Sequence, residues 1–199
     1  VSASYDMNFT YNYINYACEQ SLKRLETDYI DLYQIYAPSI NHVDYHELLY
    51  LLDELVREGK IRHYGLVIGK EFNSFEELAD ITKNHRGFTI QIVHNLMESD
   101  HIHAISEIVQ DQNFSLITRE PHVYGLFDGN YRISSLNRTL DDIDPVDFDW
   151  LESLRPRVDD LMTLTSDMEA TIAQMAIKYS LDRPLVSSVL PNILSVYDL

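Results

Sequence analysis

Cysteine occurs once in the 199 residues, as Cys18, so no internal disulfide can staple the chain and a buried core must hold it. Basic side chains are scarce: 15 Lys and Arg stand against 32 Asp and Glu. The resulting formal charge of −17 at pH 7 repels nucleic-acid phosphates and anionic membrane surfaces, so neither is expected as a partner. No run of about 20 apolar residues could cross a bilayer and no signal-like start is present. With a lone thiol, this points to a reducing, cytoplasmic home. No G-x-G-x-x-G turn follows a strand-like run, which disfavours a dinucleotide-binding Rossmann domain, and no G-x-S-x-G elbow presents a nucleophilic serine. His42 and His46 are four apart, and His101 and His103 lie near Glu98 and Asp100, but no third group completes a ligand set, so no metal is expected.

What is present is enough for a core. With 45% hydrophobic residues and 11% aromatics, the chain reads as one soluble globular domain over residues 1–199. Thr10 to Leu25 spaces Ile14, Cys18, Ser21, Leu22 and Leu25 as the buried stripe of a helix, which makes Cys18 a packing residue. Tyr29 to Tyr36 is a β-branched and aromatic run stopped by Ala37-Pro38. Val43 to Glu58 is helical, with Leu48, Leu52 and Leu55 on one face and Gly59 as the terminator. Ile61 to Ile68 is the following strand.

The alternation continues. Ser74 to Glu77 fits a capping box opening a helix to about Asn84, and Phe88 to Val93 is a strand. His101 to Gln110 is a helix on Ile102, Ile105 and Val109, followed by a strand from Phe114 to Thr118. A polar stretch from Asp128 to Asp144 interrupts the rhythm. Helices over Val146 to Leu154 and Ser166 to Leu181 follow, the second opened by Ser166-Asp167-Met168-Glu169, and Leu185 to Leu190 is the last strand. Strict alternation requires a parallel sheet, because parallel neighbours need a crossover. Early strand spacings lie near the roughly 30 residues per unit of an eight-unit barrel, and an open doubly wound sheet is also compatible with them; the missing G-x-G-x-x-G turn is what favours the barrel.

Three stretches carry a family resemblance: Ser21-Leu22-Lys23-Arg24-Leu25-Glu26-Thr27-Asp28-Tyr29-Ile30-Asp31-Leu32-Tyr33, then Leu55-Val56-Arg57-Glu58-Gly59-Lys60-Ile61-Arg62-His63-Tyr64-Gly65-Leu66, then Ser187-Ser188-Val189-Leu190-Pro191. Together they resemble the aldo-keto reductases of bacterial type. Phe88 to Asn95 and Ile117 to Leu126 resemble that family's sixth and seventh strands, so nearly the whole chain is covered. The resemblance implies an α/β fold, a (β/α)₈ TIM barrel, incomplete here, with strands four to eight and their helices. It further implies an oxidoreductase that uses NADP or NAD to reduce an aldehyde or ketone, a small-molecule carbonyl substrate, at the C-terminal mouth of the barrel.

By that register, three of the family's four catalytic residues, a Tyr, a Lys and an Asp, would precede Val1. The fourth, a His that orients the carbonyl, is replaced by Tyr36, which can donate a hydrogen bond but carries no positive charge. Tyr36 either polarises a carbonyl or merely packs. A Ser-Asn pair that holds the cofactor carboxamide falls on Val67 and Ile68, whereas Gln91 falls on the family's carboxamide-binding Gln. Arg119 stands where members stack a ring on the nicotinamide. Glu120, His122, Asn192 and Ser195 complete the implied cofactor-binding set, while Leu194 replaces a phosphate-gripping cation. Those losses leave a second reading open, a catalytically lapsed barrel serving as a binding or regulatory subunit.

Overall fold

The computed structural model describes residues 8–36, 43–69, 78, 88–109, 114–127, 148–193 and 196. Its elements run α1 (Tyr11–Leu25), β1 (Ile30–Tyr36), α2 (Tyr45–Arg57), β2 (Ile61–Val67) and β3 (Phe88–Val93). They continue with α3 (Asp100–Val109), β4 (Phe114–Arg119), α4 (Phe148–Thr165), α5 (Ile172–Leu181) and β5 (Val186–Leu190). The five strands form one parallel sheet in the order β1-β2-β3-β4-β5, as the helical crossovers require. The box read at Ser74 to Glu77, its helix and the stretch Asp128 to Asp144 lie outside the described residues, except Leu78, which is helical and buried. No helix among the described residues is long and apolar enough to cross a membrane.

The chain divides into two compact units: Val1–Ile90 with Ile108–Ser115, and Gln91–Glu107 with Leu116–Leu199. In the first, α2 is the main apolar contributor. Asp44 opens it by accepting from the backbone N–H groups of His46 and Glu47, at 2.9 and 3.3 Å. Leu48, Leu49, Leu51, Leu52 and Leu55 are then buried on its inner side, each leucine contributing about 1.5–3 kcal/mol of hydrophobic stabilisation. Gly59 ends the helix at φ 74°, with its N–H on the Val56 carbonyl and that of Lys60 on the Leu55 carbonyl. Lys60 then ties α1 to this turn, its ammonium donating to Asn15 Oδ1 (2.9 Å) and Glu19 Oε1 (3.0 Å) and pairing with Glu58 (2.8 Å).

α1 follows its sequence pattern for Ile14 and Cys18, both buried, but Leu25 is exposed. The reason is the left-handed Glu26 at φ 53°, which turns the chain back so that the Thr27 N–H bonds to the Leu22 carbonyl, and this leaves Leu25 at the solvent side of the last turn. The Cys18 thiol is pushed up, chiefly by burial, as befits a packing side chain.

In the second unit, Leu151, Leu154 and Val158 of α4 and Ile172 and Ala176 of α5 are buried with Val123, Tyr124, Leu126 and Phe127 of the loop after β4. The start expected at Ser166 is corrected to Ile172. The Ser166 hydroxyl donates backwards to the Thr163 carbonyl at 2.9 Å and so closes α4. The working capping box is Thr171 with Gln174: Thr171 Oγ1 accepts from the Gln174 N–H, and Gln174 Oε1 accepts from the Thr171 N–H. A Thr171→Ala substitution should therefore lower stability by about 1 kcal/mol, measured by urea unfolding; an unchanged midpoint would show that packing alone starts α5.

Candidate active site

The residues read as functional lie on strands or just past their C-terminal ends, and each unit carries its own share of them. In the first unit Tyr36 pairs in register with Val67. Tyr36 is half-buried, whereas Val67 and Ile68 are buried and apolar, so their contribution to any ligand is packing and exclusion of water.

In the second unit the His94 N–H donates to the Arg119 carbonyl at 3.3 Å, and Arg119 pairs in register with Leu190. This sets Glu120 and His122, just past β4, beside Asn192, just past β5. Two of the predicted residues meet directly: Asn192 Nδ2 donates to Glu120 Oε2 at 2.9 Å. His122 is buried in the same loop, and Ser195 lies outside the described residues. Gln91 is 9% exposed on β3, flanked by the fully buried Ile90 and Ile92.

The loop after β4 has an unusual backbone. Glu120, Val123 and Tyr124 adopt left-handed φ values of 58°, 51° and 54°, followed by Gly125 at 89°. For a β-branched valine this conformation costs on the order of 1–3 kcal/mol, and it persists only because surrounding packing imposes it. That packing is visible, since Val123 and Tyr124 belong to the apolar core of the second unit. Burial pushes the Glu120 carboxyl up, while the Asn192 amide, the Arg119 guanidinium and the Tyr124 backbone N–H hold it back.

Three features of this region were missed in the sequence. Thr118 is fully buried, and its hydroxyl has no hydrogen-bond partner among the described residues. His94 is also fully buried, stacked on Tyr179 of α5 at 5.3 Å between ring centroids, and Ser180 Oγ donates to its carbonyl at 3.3 Å. Neither ring nitrogen meets hydrogen-bond geometry, although the Glu98 backbone lies near enough to favour a protonated ring. Burial, then the Arg183 charge, dominates and lowers the His94 pKa to about 4. Asn95 accepts the N–H groups of Met97 and Glu98, both at 2.8 Å, and fixes the turn leaving β3. An Asn directly after an apolar strand was the available signal for that turn; nothing in the order of residues signalled the other two.

The profile of the aldo/keto reductase family matches residues 2–198. The chain belongs to that family. It is 33% identical over 111 residues to the aldo-keto reductase YhdN of Bacillus subtilis, covering 56% of this chain and 32% of that protein. To the methylglyoxal reductase YeaE of Escherichia coli it is 32% identical over 80 residues, 40% of this chain and 27% of that one. Among solved structures, the holo form of the aldo-keto reductase AKR11C1 from Bacillus halodurans superposes with a TM-score of 0.71 at 23% identity. That match covers 97% of this chain and 60% of the other. The structural likeness shows the fold, an arrangement shared with the family's (β/α)₈ barrels. The chain thus spans about a third or less of these two curated relatives' lengths and three-fifths of that neighbour's.

Proposed function

We propose that the complete protein is an NADPH- or NADH-dependent reductase of aldehydes or ketones, and that this chain forms strands four to eight of its barrel. The observation carrying the reading is Gln91, a side chain only 9% exposed between Ile90 and Ile92 of β3, at the position that by resemblance matches the family's carboxamide-binding Gln. One amide can donate to and accept from another, so Gln91 would fix the plane of the ring. When bound, the nicotinamide supplies the hydride. Arg119 would lie flat along the ring as a planar cation. Tyr36 would donate its phenolic hydrogen bond to the carbonyl oxygen, where negative charge builds as hydride arrives. The methylglyoxal reductase among the relatives supports a small carbonyl compound as the substrate class.

The test is titration of NADPH and NADH into the full-length protein, followed by quenching of protein fluorescence. Saturable binding is expected. Gln91→Leu should weaken it about tenfold, one lost hydrogen-bonded pair, while leaving the unfolding midpoint within error. A folded full-length protein that binds neither nucleotide would sink the reductase reading and leave the lapsed, binding-subunit alternative.

A further inference from the structure

The His94 imidazole lies just past β3 and is fully buried. Its ring stacks on Tyr179 of α5 at 5.3 Å between centroids and 28° between planes, and its carbonyl accepts from Ser180 Oγ at 3.3 Å. Arg183 engages the same tyrosine: its guanidinium stands 5.2 Å from the ring centroid and donates to the phenolic oxygen at 3.1 Å. Arg183 also anchors the turn into β5, its carbonyl accepting from the Val186 N–H at 2.9 Å. These contacts matter because α5 is otherwise lightly held. Its buried apolar side chains are Ile172 and Ala176, both in its first half, and within α5 only Ser180 is buried past them. The C-terminal half of α5 is therefore seated chiefly by one aromatic stack and one hydroxyl.

We propose that the His94–Tyr179–Arg183 stack is an acid-released latch: a proton on the imidazole frees the C-terminal half of α5 and the turn into β5 while the rest of the second unit stays folded. Two effects drive the release. A charge inside the fold loses the water that stabilises it, a large cost unless an opposite charge pairs with it. Among the groups acting on the ring, Arg183 beyond α5 and His103 of α3 oppose the proton, and the Glu98 backbone, a neutral dipole between β3 and α3, favours it. An imidazolium would also share the Tyr179 ring with the Arg183 guanidinium, two like charges on one aromatic system. Moving this half of α5 aside returns the imidazole to water and exposes little apolar surface, so it comes before loss of the whole fold.

Amide hydrogen exchange of the full-length protein at pH 7.5 and pH 5, corrected for the intrinsic chemical rate and repeated in low urea, tests the latch. With the ring titrating at about 4 when seated and 6.5 when free, the opening equilibrium of α5 should rise about thirtyfold between the two. At pH 5, peptides covering 177–186 should exchange faster than those of β3 and respond little to urea, because a local opening exposes little surface. Exchange in β3 should stay slower and rise steeply with urea. His94→Phe, which keeps a ring to stack but takes no proton, should abolish the acid acceleration in α5. Arg183→Gln, which removes the second cation, should reduce it. If α5 and β3 of the wild type exchange at one rate with one urea slope, acid opens the whole unit and the latch is overturned, whether or not the variants fold. Local opening of α5 without acid acceleration, or acceleration that survives in His94→Phe, would overturn it as well.

Discussion

Replacing Gly65 by alanine will lower the melting temperature of the full-length protein by on the order of 5–10 °C, a loss of about 3 kcal/mol. Gly65 lies mid-strand on β2, in register with Gln34 of β1. An added methyl group would fall on the hydroxyl and the backbone carbonyl of Thr89, the first of which accepts a hydrogen bond from Gln34 Nε2 at 3.5 Å. A rotamer change in Thr89 could move the hydroxyl but not the carbonyl, so the strand itself would have to shift. Here glycine is required by close approach and not by backbone conformation, and a swap that relied on conformation alone would be neutral. Thermal unfolding followed by circular dichroism measures the effect. A melting temperature unchanged within 2 °C would show that β2 and β3 have room that the geometry denies.

The second large effect is an acid dependence of stability set by His94. Its pKa is about 4 in the fold against 6.5 in the open chain, so between those values the unfolded state binds the extra proton. Stability from this group is complete above pH 6.5 and is lost as pH falls toward 4. At pH 5 the loss should be about 2 kcal/mol, on the order of the shift itself. The charged groups acting on the ring are Arg183 and His103, which disfavour its protonation along with burial, and the Glu98 backbone, which favours it. His94→Phe keeps the stack on Tyr179 and removes the titration. Urea unfolding at pH 7.5 and pH 5 should show the wild type losing about 2 kcal/mol more than the variant between the two. Parallel losses in both proteins would place the acid sensitivity elsewhere.

Much of the fold was legible because each element announces itself over a short range. Leu48, Leu52 and Leu55 repeat at helical spacing, Gly59 follows at once, and the strand run Ile61 to Val67 begins two residues later. Errors arose where a local signal was overruled by packing. Ser166 heads a capping pattern, but the box that forms is Thr171 with Gln174 five residues on, where Ile172 and Ala176 are buried with residues of α4. Leu25 fitted the apolar stripe of α1, but an unforeseen left-handed Glu26 decided its exposure.

The site divides in the same way. Gln91 stood out in the sequence because a lone amide amid Ile90 and Ile92 needs a partner, and the structure finds it buried. The Glu120–Asn192 bond joins residues 72 positions apart, and no local pattern encodes it.

The sequence by itself determined the alternation of strands and helices and the parallel sense of the sheet, because period, capping and crossover rules act within a few tens of residues, while the family was legible only as a resemblance of longer stretches. Tertiary structure alone decided which polar side chains lost their water. His94 and Thr118 are ordinary strand-end residues until the fold buries them, and Glu120 meets Asn192 only when the register of β4 and β5 brings that amide to its carboxylate. Burial and register are properties of packed neighbours, and the order of residues along one strand does not contain them.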